Sequence, residues 1–247
     1  MPLSKYIDQA NRLVATLPAE PRAFFLEHCE LVDMERQDVL TTTGQYTEHA
    51  YFPVDSFVGA LLCLEGSSAV QVALIGNEGM VNVSLVLGMR VASTTSVVQG
   101  SGRAYRIRNH ELQELLCANP IFRDVLHSYI ALRMDQLALN MACASCHAVE
   151  KRLARWMLMA RDRAHSDELC LTHEVLALML GVRRESVTQA AISLQNHGLI
   201  RYGRGDIVLL DQPGLMSVAC SCYEDDLAMY QRAIESQPSG KQAPPAN

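Results

Sequence analysis

Residues 172–211 read THEVLALMLGVRRESVTQAAISLQNHGLIRYGRGDIVLLD, and their punctuation decides the fold. Thr172 is a helix cap, because its hydroxyl can accept an orphan N–H of the first turn. Val175, Leu176, Met179 and Leu180 follow at helical spacing. Gly181 ends that helix where a left-handed residue costs little. A second helix places Val187, Ala190, Ala191 and Leu194 on one face. Arg183, Arg184, Glu185, Ser186, Thr188 and Gln189 fall at its start and on its other faces. Gly198 ends it, and two short β-type runs, Leu199–Tyr202 and Ile207–Leu210, flank the turn Gly203-Arg204-Gly205-Asp206. Helix, short turn, helix and β-hairpin make a winged helix-turn-helix, whose second helix suits a DNA major groove.

The side chains fit that task. Arginine pairs with a guanine edge, glutamate accepts from a cytosine amino group, glutamine pairs with adenine, and threonine touches a thymine methyl. Thr172, Arg183, Arg184, Glu185, Ser186, Thr188, Gln189, Arg201 and Arg204 are the expected DNA-contacting residues, with Arg204 at the wing tip placed for phosphate.

Upstream, Asn119-Pro120 starts a helix with a capping Asn and proline in the first turn. No breaker follows until about Ala164, so one helix of some forty residues is expected, and helices that long usually pair with a copy of themselves. Phe122, Val125, Tyr129, Leu132, Gln136, Leu139 and Cys143 follow three-four spacing, continued by Cys146, and form the expected dimer seam. A second stripe, Leu126, Ile130, Met134, Leu137, Met141 and Ala144, is expected to pack on the N-terminal domain. Before this helix, short β-type runs such as 50–52, 57–64, 69–75, 95–98 and 103–108 are separated by turns, with eight of the 14 glycines between Gly44 and Gly102. That pattern reads as an antiparallel β roll, interrupted by a helical piece near 83–87 and closed by a short helix from Asn109. Residues 3–27 read as helical, as do 213–235, and the Pro- and Gly-rich end from Pro238 is expected to be disordered.

The expected organisation is α+β: a β-roll sensing domain over 1–118, a dimerisation helix over 119–147, a winged helix-turn-helix over 148–223 and a tail over 224–247. The net charge of −6 argues at first against nucleic acid, but the acid lies elsewhere. Residues 147–223 hold nine Lys/Arg against eight Asp/Glu, whereas residues 1–146 hold ten against fifteen. A near-neutral reading head predicts few phosphate contacts, so specificity would lean on dimerisation. No run resembles a signal peptide or a membrane span, and eight cysteines without those signals point to free thiols in the cytoplasm, with no membrane partner.

With this order in place, the chain resembles the Crp/Fnr superfamily of bacterial transcription regulators over residues 5–222. The stretches VEKRLARWMLMARDR and LMLGVRRESVTQAAISLQNHGLIRYGRGDIVLLD carry the resemblance. It implies a homodimer on a two-fold DNA site near promoters, with RNA polymerase as a partner. It also implies base reading through Arg184, Glu185, Thr188 and Gln189; some members have arginine where this chain has Gln189, so its half-site would differ. Cyclic-nucleotide-binding members carry Gly-Glu and, about eleven residues later, Arg-Ser. Here Gly79 and Arg90 match as effector-binding candidates, but Met80 and Val91 replace the glutamate and serine. A sugar hydroxyl facing Met80 would lose its partner, at a cost of about 1–3 kcal/mol. No cofactor is therefore expected, and cyclic AMP or GMP is not the expected effector. Otherwise Arg90 is a solvated turn residue or a partner of Glu78.

Cys143-Ala-Ser-Cys146-His147 matches the c-type haem pattern, but in mid-helix and without an export signal. A redox- or metal-responsive switch through Cys143 and Cys146 across the seam is the alternative regulatory reading. The plainer reading is inert packed thiols. The Cys220-Ser-Cys222 pair is expected to pack locally, since two thiols supply too few ligands for a metal. His127, His147, His173 and His197 are expected as capping or surface residues, and no metal site is expected. With only Cys29 in the first 60 residues, the resemblance carries no iron–sulfur cluster. No phosphate loop, dinucleotide fingerprint or nucleophile elbow suggests an enzyme. A β roll serving only as a protein-interaction module is the remaining alternative, and loss of function on substituting Arg184 and Glu185 would distinguish a DNA reader from it.

Overall fold

The computed structural model describes residues 11–63, 69–203 and 206–235. The chain opens with helices α1 (Arg12–Ala15) and α2 (Ala19–Glu27), so the expected N-terminal helix is split at Pro18, and its first residues lie outside the described ones. Among the described residues seven strands follow: β1 (Glu30–Met34), β2 (Val39–Thr41), β3 (His49–Pro53), β4 (Phe57–Leu62), β5 (Val70–Ile75), β6 (Thr95–Gly100) and β7 (Gly102–Arg108). They form two antiparallel sheets, β1-β7-β3 and β2-β6-β4-β5, with the 3-10 turn Val83–Leu87 between β5 and β6. This is the expected β roll; β1 and β2 are strands that the apolar runs did not single out.

Helix α3 (Asn109–Ala118) leads to α4 (Pro120–Cys146), capped by the Asn119 side chain, which accepts from the Phe122 N–H at 3.0 Å. The expected forty-residue helix is two helices. The backbone turns extended at His147 and Ala148, and α5 (Val149–Ala164) starts anew. No glycine or proline marks this break; it falls where Cys143 is buried and the His147 ring turns towards Cys222.

The face assigned to a dimer seam is the other correction. Phe122, Val125, Tyr129, Leu132, Gln136 and Cys143 are all buried within the single chain, and Leu139 is half-buried. Phe122 to Leu132 pack with Phe25, Phe52, Met80, Leu85, Ile107 and Leu112 in the core of the roll. Periodicity revealed two apolar stripes but not which one the roll takes, and it takes the one bearing the two aromatic rings, which bury the most area. The other stripe divides: Leu126 is buried and Ile130 half-buried in the same core, whereas Met134 is 66% exposed, Leu137 43% and Met141 72%.

The winged domain follows: β8 (Glu168–Cys170), α6 (His173–Leu180), α7 (Arg184–Asn196), β9 (Ile200–Gly203) and β10 (Asp206–Leu209), with sheet order β8-β10-β9. Its core joins Leu153, Met157 and Leu158 of α5 to Leu176, Val187, Leu194, Ile200 and Ile207. The helical segment expected over 213–235 is also two helices, α8 (Gln212–Val218) and α9 (Cys222–Glu235). Helix α9 is no loose end, since it runs back against α4 and sets Tyr230 into the core of the roll. The residues from Pro238 onwards lie outside the described ones.

Candidate nucleic-acid interface

The turn between α6 and α7 is fixed at both ends. Thr172 caps α6 by accepting from the Val175 N–H at 3.3 Å. Gly181 takes φ +63°, a left-handed conformation, and the Val182 N–H reaches back to the Ala177 carbonyl at 3.1 Å. The Ser193 hydroxyl donates to Glu150 Oε1 at 2.8 Å, and Arg152 bonds the Leu180 carbonyl, so α5 holds both helices. Val187, Ala190, Ala191 and Leu194 form the inward face of α7, as their spacing implied.

The outward face carries the expected reading residues. Arg183, Arg184, Glu185 and Gln189 are exposed, and Ser186 and Thr188 are half-buried. Arg184 forms a solvent-exposed ion pair with Glu174 at 2.8 Å, which orients it and is worth little in stability. Thr188 is less free than a bare reading residue. Its hydroxyl bonds the Arg184 carbonyl at 3.0 Å and meets His173 Nδ1 at 3.0 Å. Both contacts are satisfied if Thr188 donates to the carbonyl and a neutral His173 donates from Nδ1. His173 also stacks on Tyr202 of the wing, with centroids 4.1 Å apart. Its Nε2 is buried with no hydrogen-bond partner among the described residues, and burial first, then the Arg184 charge, push its pKa below the ordinary 6.5. Thus His173, expected only to cap or lie at the surface, ties α6, α7 and the wing together.

Arg201 is exposed on β9, and Arg204 lies outside the described residues. The sequence reading missed Ile192, which is 54% exposed on α7, one turn beyond Gln189. An apolar side chain outside the inward stripe was the signal, and it suits a thymine methyl.

The effector candidates are not assembled. Gly79 is buried, and a Cβ there would lie 2.0 Å from the Tyr129 hydroxyl, so the phenol of α4 fills the space in front of it. Tyr129 bonds the Met80 carbonyl at 3.4 Å. Arg90 is exposed, with its guanidinium 5.8 Å from the Tyr46 ring, so its solvated-turn reading holds. Glu78 does not partner Arg90; it pairs with buried Arg163 at 2.7 Å and accepts from the Gly76 N–H. That pair lies at a cleft of about 600 Å³ between the roll, α5 and α9, lined also by Arg12, Asp162, Tyr223 and Asp226.

Cys143 is buried within the chain and Cys146 is exposed, so the two do not share an environment.

A β roll is joined through a long helix to a winged helix-turn-helix whose second helix keeps a polar face exposed. Residues 151–218 match the Crp-like helix-turn-helix domain family, and over most of its length the chain is similar in fold to solved Crp/Fnr-family regulators. FixK2 from Bradyrhizobium japonicum is 14% identical, with 78% of this chain and 98% of that one covered and a TM-score of 0.66. A Crp/Fnr-family transcriptional regulator from Thermus thermophilus is 21% identical over 77% and 98%, with a TM-score of 0.65. The c-di-GMP responsive global regulator CLP from Xanthomonas campestris is 15% identical over 78% and 100%, with a TM-score of 0.64. A search of curated protein sequences found no match.

Proposed function

We propose that the protein is a cytoplasmic, homodimeric, sequence-specific transcription regulator that reads a two-fold symmetric DNA site, with RNA polymerase as a partner at promoters. The observation carrying this reading is the outward face of α7, where Arg183, Arg184, Glu185, Gln189 and Ile192 stand exposed over a closed core. The dimer forms along α4 through Ile130, Met134, Leu137, Met141 and Ala144, whose four-three spacing is that of a coiled-coil seam. Two α7 helices then address successive major grooves about 34 Å apart.

Cyclic AMP and cyclic GMP are not its effectors in this reading. Met80 is 1% exposed, Tyr129 stands against Gly79, and Arg90 points to solvent, so sugar and phosphate would find neither room nor partners. Selection of bound DNA from a random library with purified, reduced protein tests the proposal. Enrichment of a palindromic site without added ligand supports a reader that is already competent. Enrichment only after addition of cyclic AMP would overturn the effector statement, and enrichment under no condition would overturn the DNA reading.

A further inference from the structure

Four residues far apart in sequence converge at the junction of the long helix and the winged domain. Cys143 lies in the last turn of α4, His147 in the break after it, Cys220 in the link between α8 and α9, and Cys222 opens α9. Their three sulfurs and one ring nitrogen all lie within 4.8 Å of one another. Cys143 Sγ is 3.5 Å from Cys220 Sγ, and Cys222 Sγ is 3.5 Å from His147 Nδ1. The three thiols are buried in a cluster of their own, with Leu139 as the apolar neighbour packed against it.

Convergence of four donors on one point is what a tetrahedral ion requires. Zinc–sulfur bonds of about 2.3 Å and zinc–nitrogen bonds of about 2.0 Å set sulfur–sulfur separations of about 3.8 Å and sulfur–nitrogen separations of about 3.5 Å. The spacings here match these to within small side-chain adjustments. Thiolates with imidazole select zinc over magnesium or calcium, and so compact a set suits a single ion. Three thiolates and a neutral imidazole around a dication leave one negative charge. Arg155, 6% exposed, lines the same cavity as Cys143, donates to Asn140 Oδ1 at 2.8 Å, and has no hydrogen-bond partner for its Nε among the described residues.

We propose that Cys143, His147, Cys220 and Cys222 form a closed structural zinc site, with Arg155 balancing its charge. Binding exchanges three thiol protons, released to solvent, for three zinc–sulfur bonds, and the imidazole adds a zinc–nitrogen bond through its lone pair. With four protein ligands the ion has no open position. It clamps the last helix to the break from which the winged domain departs. This assignment does not depend on what the winged domain binds.

The test is metal analysis of the full-length chain purified without chelator, by native and inductively coupled plasma mass spectrometry. One zinc per chain is expected. After chelator stripping, Co²⁺ titration should give the visible bands of a tetrahedral thiolate site. Cys222→Ser and His147→Ala should each weaken Co²⁺ binding by at least about 100-fold, the upper end of what losing a mere outer partner costs. Cys146→Ser should leave it unchanged. Wild-type protein with only trace zinc and no cobalt bands would overturn the assignment, as would a Cys143–Cys220 disulfide in its place. A loss on Cys146→Ser equal to that on Cys222→Ser would overturn the ligand set.

Discussion

Arg184 and Thr188 stand side by side on α7 but are held differently. Arg184 is oriented only by an exposed ion pair and is free to turn to a base edge. Arg184→Ala should remove about 1–3 kcal/mol of discrimination at one base pair per half-site, read by binding to single-substituted sites. Uniform weakening on all sites would make it a phosphate contact instead. His173 predicts a pH dependence. Its pKa lies below the ordinary 6.5, so the native state binds fewer protons there than the unfolded chain. The stability contributed by neutral His173 is present above that value and is lost as pH falls towards its folded pKa. Thermal unfolding between about pH 7 and about pH 5 should show this loss, and His173→Gln should flatten it. At Gly79 the added methyl of Gly79→Ala meets the buried Tyr129 phenol, and overpacking should cost about 1–3 kcal/mol in urea unfolding. An unchanged midpoint would show that Tyr129 can yield.

The long helix shows what periodicity conveys at the scale of an element. Asn119-Pro120 fixed its start, because a cap and a first-turn proline are local signals. Two apolar stripes were also legible, but the one expected at a dimer seam packs into the chain's own core, and of the other only Leu126 and Ile130 pack on the roll. The stripe with Phe122 and Tyr129 went inward because the roll offered the complementary core, which only folding creates. Met134→Glu with Leu137→Glu should therefore convert a dimer to a folded monomer, measured by analytical ultracentrifugation with circular dichroism. Retention of the dimer would place the interface elsewhere. Tyr129→Glu should instead disrupt the roll, since it buries a charge beside Met80. A domain boundary was expected at 147, but not a break in the helix there, because no breaker residue stands at His147.

Across the whole molecule, the roll and the winged domain are joined by more than the helix between them. Phe57 and Leu74 of the roll enter the core of the winged domain, and Glu78 is paired with Arg163 of α5. Both side chains of that pair are about nine-tenths buried, so removing one charge strands the other. Glu78→Gln should cost about 3–5 kcal/mol in urea unfolding, whereas Glu78→Leu with Arg163→Met should cost far less. Equal loss in both would locate the cost in packing. Tyr230 of α9 returns to the first domain, with Arg12 4.5 Å from its ring, so the end of the chain helps to hold its beginning.

By itself the sequence determined the winged helix-turn-helix, the inward face of its second helix and the polar residues on the outward one, because caps, glycine stops and side-chain periods act over a few residues. It also determined the β roll in outline, through glycine-punctuated β-type runs. Tertiary structure alone decided which stripe of the long helix faces the roll, that Tyr129 fills the space at Gly79, and that Glu78 takes Arg163 as its partner. It alone gathered Cys143 and His147 with Cys220 and Cys222. Read in sequence, Cys220 and Cys222 were a pair too small to hold a metal, and Cys143 was grouped with Cys146; the return of the last helix along the first long one made Cys143, His147, Cys220 and Cys222 a single cluster, and no local pattern encodes that return.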